Sequence, residues 1–187
     1  TFIEQTLGGH HCRFKRGYKN VIDEAIRLDR SGTPAPLAIE TSGHAALKDN
    51  YYLDDGAYLI TRIIILMAKL REKGRRLTDV IAALPEPAET MERRFAILRP
   101  DFAAYGAQIL RELEAYAKAR GWAVAEDSRE GVRISFAKDE GDGWLLLRLS
   151  VHDPVMPLNI ESNVPGGCQM IFDRLSGFLA DKTGLKL

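Results

Sequence analysis

Two cysteines, Cys12 and Cys168, are too few and too far apart in 187 residues to imply a disulfide framework. Their scarcity excludes the disulfide-stapled secreted scaffolds and fits a reducing, cytoplasmic compartment. Net charge is also missing, because 26 Lys and Arg balance 26 Asp and Glu. A general nucleic-acid binder shows a basic excess in its totals, so no nucleic-acid partner is expected. The balance shifts only locally, with 13 basic and 10 acidic residues through Leu84 and 13 and 16 after it. That mild asymmetry leaves room for a local anion site. Long apolar runs are absent too. The densest, 63-IIILMA-68, is followed by Lys69 and Arg71 and is too short to cross a bilayer. No basic-then-apolar leader precedes the first expected strand, and no membrane partner is expected. The chain opens without methionine on TFIEQTLGG, which reads as a helix entered partway. A piece of something longer is therefore expected.

What is present suits a globular fold. Apolar residues make up 45%, and the length allows one or two domains with a sizeable core. FIEQTLGG reads as the end of a helix stopped by Gly8 and Gly9, and HHCRF as a short strand. After the basic turn KRGYKN, residues 19–32 carry Val21, Ile22, Ala25, Ile26 and Leu28 at helical spacing. PLAIE follows as a buried strand. Residues 57–71 form a helix whose stripe of Ile60, Ile63, Ile64, Met67 and Leu70 is widened by Ile65 and Leu66. Such a helix is expected to be buried on more than one side. Alternating helices and strands predict an α/β layer, and a further helix is expected near Leu77.

The stretch 85-PEPAE-89 reads as an exposed linker. Beyond it come a strand at RRFAI, a helix over residues 102–120 capped by Gly121, and strands at WAVAE, VRISF, WLLLRLS and PLNIES. A last helix runs from about Gly167 to Asp181. The close spacing of strands and the Asp/Ser/Gly turns predict an antiparallel meander. The expected architecture is a partial three-layer α/β sheet domain followed by a small α+β domain with an antiparallel sheet backed by helices. No internal repeat at solenoid spacing is visible.

Three polar constellations stand out. Glu40, Ser42 and His44 alternate at the carboxyl end of the expected PLAIE strand, where open α/β sheets bind ligands. A carboxylate, a hydroxyl and an imidazole suit a polyol, though a plain turn capped by His44 uses the same residues. In 14-FKRGYKN-20, Lys15, Arg16 and Lys19 surround Gly17 before a helix start. That turn suits an anion or, taken alone, a solvated surface. In 148-RLSVHDP-154, Arg148, Ser150 and His152 offer a guanidinium fork, a hydroxyl and an imidazole to a phosphate, or simply form a turn. Asp54 and Asp55 fit N-capping better than Mg²⁺. His10, His11 and Cys12 are adjacent, so they cannot converge on zinc, and no metal site is expected in the chain. There is no nucleophile elbow, and Cys12 has no identified base.

Taken in order, FKRG, ETSGH, KDNYYLDDGAYL and RLSVHDP resemble the C-terminal portion of the bacterial phosphoglucomutase/phosphomannomutase, or phosphohexomutase, family. The resemblance covers essentially the whole chain. It implies that residues 1–84 are a truncated domain 3 with the sugar-binding loop, and that 85–187 are the C-terminal domain with the phosphate-binding loop. It implies an enzyme that interconverts hexose 1-phosphate and hexose 6-phosphate through a bisphosphate and an active-site phosphoserine outside this chain. Mg²⁺ and hexose 1,6-bisphosphate would serve the full-length parent. Carried over residue by residue, Lys15, Glu40, Ser42 and His44 would bind the sugar, with Lys15 near the reacting end. Arg148, Ser150 and His152 would bind phosphate.

The sequence departs from the family pattern at Val151 and His152, where Asn and Thr commonly follow the serine. No Ser-His-Asn-Pro or Asp-Gly-Asp loop is present, so the chain alone is expected to be inactive, with no catalytic residue of its own beyond electrostatic help from Lys15. Expected partners are a phosphorylated hexose, the missing N-terminal domains and, through an incomplete first sheet, further copies of the chain. The alternatives are a non-catalytic sugar-phosphate-binding module and a purely structural interaction domain.

Overall fold

The computed structural model describes residues 2–150 and 152–186. It forms two compact units that divide between Pro85 and Glu86.

The first unit begins with a single turn of helix, α1 (Phe2–Gln5). Helix α2 (Tyr18–Arg30) starts after Gly17, whose φ of 107° lies in a region that only glycine enters without strain. Strands β1 (Leu37–Ile39) and β2 (Ala45–Leu47) pair antiparallel, with Leu37 opposite Leu47 and Ile39 opposite Ala45. The buried core here is built of alanines: Ala25 of α2 against Ala38 and Ala46, flanked by Val21, Ile22, Ala35 and Tyr52. Small side chains let the helix lie close to the hairpin, and the Tyr52 hydroxyl donates to the Ala35 carbonyl at 2.7 Å. Helix α3 (Gly56–Glu72) follows, capped by the Asp55 carboxylate on the Tyr58 N–H at 2.9 Å.

Several expectations for this unit are corrected. Residues 10–14 are not a strand, because no neighbouring strand offers them a ladder among the described residues. PLAIE is not buried on both faces. Only Ala38 is covered, while Leu37 and Ile39 are about half exposed, since helix α2 packs on one face of the two-stranded hairpin and leaves the other open. Helix α3 buries only Leu70 and leaves Ile60, Ile63, Ile64, Ile65, Leu66 and Met67 exposed. The element near Leu77 is one 3₁₀ turn, Leu77–Val80, closed by the Asp79 carboxylate on the Arg76 N–H at 2.8 Å.

The second unit follows its alternation closely. Strands β3 (Glu89–Ile97), β4 (Ala123–Val124), β5 (Gly131–Phe136), β6 (Gly143–Arg148), β7 (Val155–Ser162) and β8 (Leu185–Lys186) form one antiparallel sheet in the order β4-β5-β6-β7-β3-β8. Val132, Ile134 and Phe136 alternate inward on β5, as do Leu145 and Leu147 on β6 and Leu158 and Ile160 on β7. Helices α4 (Phe102–Ala119) and α5 (Gly167–Leu179) cover that face with Ile109, Leu113, Ile171, Leu175 and Leu179. The fold class is thus mixed α/β, with a small antiparallel sheet-and-helix domain in the second half.

Candidate functional site

In the first unit the basic turn and the ETSGH segment come together. Strand β1 ends at Ile39, so strand alternation does not align Glu40, Ser42 and His44. They instead occupy the hairpin turn, which is closed by the Glu40 N–H on the His44 carbonyl at 2.9 Å and the Gly43 N–H on the Glu40 carbonyl at 3.0 Å. The turn needs Gly43, whose φ is 95°. Glu40 then reaches across 23 residues of sequence. Its Oε1 accepts the Gly17 N–H at 2.5 Å, and its Oε2 accepts the Ser42 hydroxyl at 3.0 Å. A carboxylate has about four lone-pair sites, so two remain for a vicinal diol.

His44 is fixed on two sides. Its Nδ1 lies 2.7 Å from Asp54 Oδ2, and its ring stacks on Tyr18 with centroids 4.9 Å apart and planes 27° apart. Lys15 and Lys19 are exposed near this turn, with no hydrogen-bond or ion-pair partner among the described residues. Asp54 and Asp55 divide their work. Asp54 faces His44, whereas Asp55 caps α3 and accepts from Asn50 Nδ2 at 3.2 Å. The Tyr58 N–H, and after it the Asn50 amide, hold the Asp55 carboxyl below its usual pKa. Tyr18 and the His44–Asp54 pairing are not readable from the motifs. The only local signals are an aromatic after Lys-Arg-Gly and one carboxylate more than a cap requires.

The second unit carries the other constellation, in the loop between β6 and β7. Arg148 is the last residue of β6 and lies opposite Gly131. A Cβ at Gly131 would sit 2.1 Å from the Leu147 carbonyl oxygen and 2.9 Å from Arg148 Cα, so glycine there lets the two strands close up beside the arginine. The Ser150 N–H donates to the Val155 carbonyl at 3.0 Å, and its Oγ accepts the Asp153 N–H at 3.3 Å. The hydroxyl hydrogen of Ser150 is left to donate outward. His152 is exposed on the same loop. Val151, whose backbone N–H would help a phosphate nest, lies outside the described residues.

No group of three or more metal-ligating side chains converges among the described residues. Cys12 is exposed. Cys168 is buried, and burial, reinforced by Glu89, pushes its thiol up. No described helix is long and apolar enough to cross a membrane.

Residues 3–88 match the family described as phosphoglucomutase/phosphomannomutase, alpha/beta/alpha domain III. The first unit is thus similar to domain III of the phosphoglucomutase/phosphomannomutase family. It is 29% identical over 173 residues to a phosphomannomutase/phosphoglucomutase of Pseudomonas putida, a match that covers 91% of this chain and 33% of that protein. It is also similar to the crystal structure of a phosphoglucomutase/phosphomannomutase family protein from Burkholderia thailandensis. That match has 27% identity and a TM-score of 0.66, covering 93% of this chain and 33% of the other. The chain therefore spans about a third of the length of the relatives it matches.

Proposed function

We propose that the chain is the substrate-recognition part of a phosphohexomutase. The parent enzyme interconverts hexose 1-phosphate and hexose 6-phosphate through a bisphosphate and a phosphoserine that lies outside this chain. Residues 1–84 serve as the later part of its domain 3, and 85–187 as its C-terminal domain. Lys15, Glu40, Ser42 and His44 bind the sugar, and Arg148, Ser150 and His152 bind a phosphate. The observation that carries this reading is the bond from the Gly17 N–H to Glu40. It places a cationic turn and a polyol-matched loop against each other, as a phosphorylated sugar requires.

Phosphoryl transfer is assisted chiefly by positioning and charge. The chain's share is to hold hydroxyls through Glu40 and to neutralise phosphate oxygens through Lys15 and the planar Arg148 fork. Mg²⁺ and hexose 1,6-bisphosphate serve the full-length parent, supplying charge neutralisation and the phosphoryl intermediate. The described residues offer no cluster to hold the metal. The parent is an intramolecular phosphotransferase of the isomerase class acting in the cytoplasm, and the missing domains supply its nucleophile.

Calorimetric titration with glucose 1,6-bisphosphate tests this directly. Weak binding by the chain that is lost in both E40A and R148A is the expected result. Binding that survives both substitutions refutes the residue assignment. No binding by a demonstrably folded chain removes the reading of a stand-alone, non-catalytic sugar-phosphate module.

A further inference from the structure

The contact between His44 and Asp54 does more than close a loop. Asp54 is held by an isolated β-bridge to Ala46 and is followed directly by the α3 cap, so its backbone is anchored on both sides. An ionised carboxylate can only accept. At 2.7 Å, Nδ1 of a neutral His44 must therefore carry the ring's hydrogen. The Tyr18 ring lies across the imidazole face and limits its rotation. With Nδ1 committed, Nε2 is left as a bare lone pair on a side chain that is about half exposed.

We propose that Asp54, with Tyr18, is a positioning residue that holds His44 as the Nδ1–H tautomer and presents Nε2 as an acceptor to a ligand hydroxyl. The inference rests on the polyol-binding reading of the loop and deepens it. Glu40 and His44 then form two acceptors side by side, selecting a ligand that offers hydroxyl donors. A phosphate oxygen, which offers none at neutral pH, meets the cationic turn instead.

The test is the tautomer of His44 in the ligand-free chain, read by long-range ¹H–¹⁵N NMR of histidine-labelled protein at about pH 9, where an ordinary imidazole is neutral. The wild type should carry its hydrogen on Nδ1. Free imidazole side chains favour Nε2–H, and a half-exposed charge-assisted bond shifts the ratio by about tenfold. D54A should return it by that factor. D54N, which keeps the shape but can donate to Nδ1, should also raise the Nε2–H form if D54A disturbs the hairpin's amide spectrum. A wild-type ring with its hydrogen on Nε2, or a ratio that neither variant moves, would overturn the proposal. Because no ligand is needed, the tautomer reads the positioning of His44 separately from the sugar-phosphate titration: binding that survives E40A and R148A with the tautomer intact would count against the proposed residue assignment alone.

Discussion

Helix α5 has no side-chain cap of its own, because its N-cap residue is Gly166, at φ 79°. Glu89, from the far end of the sequence of this unit, does that work. Its Oε1 accepts the Gly166 N–H at 2.5 Å and its Oε2 accepts the Cys168 N–H at 3.3 Å. A carboxylate here also faces the positive end of the helix dipole. Replacing Glu89 by alanine removes both bonds and leaves two helix N–H groups, one of them on buried Cys168, without these acceptors. One bond is short and charge-assisted and the other is long, so the loss should be about 2–3 kcal/mol. With a urea slope of roughly 1–3 kcal/mol/M, the unfolding midpoint falls by about 0.7–3 M. Both tryptophans, Trp122 and Trp144, belong to this unit, so their fluorescence reports its unfolding. E89Q keeps one acceptor oxygen without the charge and should lie about halfway. A midpoint shift under about 0.3 M for E89A would refute the reasoning.

Other perturbations follow from the same geometry. Asp55 is stabilised as a carboxylate when folded, so its contribution is present above the ordinary Asp value of about 3.9 and is lost as pH falls through its lower folded value. D55N should flatten that acid limb of the stability curve, and an unchanged limb would count against the cap. A Cβ at Gly167 would lie 2.0 Å from Ser162 Oγ and 2.5 Å from the Gly141 carbonyl oxygen. G167A should therefore lower stability by about 1–3 kcal/mol in the same fluorescence assay. The exposed isoleucines of α3 should drive concentration-dependent self-association, visible by light scattering and weakened by I64K. A clean monomer at high concentration would contradict this. The chain alone should show no mutase turnover above blank in a coupled assay, and turnover retained after stringent purification would overturn that expectation.

The second unit was largely legible in its sequence, and the first only in part. Strands such as VRISF and WLLLRLS alternate apolar and polar residues over a sheet with one covered face, so period two fixed both their type and their inward side. In the first unit, the apolar content of α3 showed that the helix prefers burial but not whether anything buries it. HHCRF has strand character, yet a strand exists only where a neighbour completes its ladder, and that neighbour is not a local property. Among the site residues, ETSGH and FKRG announced themselves by chemistry. The links between them, Gly17 to Glu40 and Tyr18 to His44, span 23 and 26 residues and leave no periodic trace. For the double aspartate, capping describes Asp55 but not Asp54, which faces His44.

The alanine contact between α2 and the β1–β2 hairpin has a consequence for local dynamics. Three methyl-bearing residues bury little apolar area, so they oppose transient opening weakly. The hairpin is tethered instead by directional bonds at its two ends: Gly17 to Glu40 on one side, and Lys48 to Asp29 at 2.6 Å on the other. Amide protons of β1 and β2 should accordingly exchange with solvent much faster than those of β6 and β7, which lie over interlocked leucines and isoleucines. A ligand that grips Glu40 would add a third tether, and slowed exchange across residues 37–47 would report its arrival.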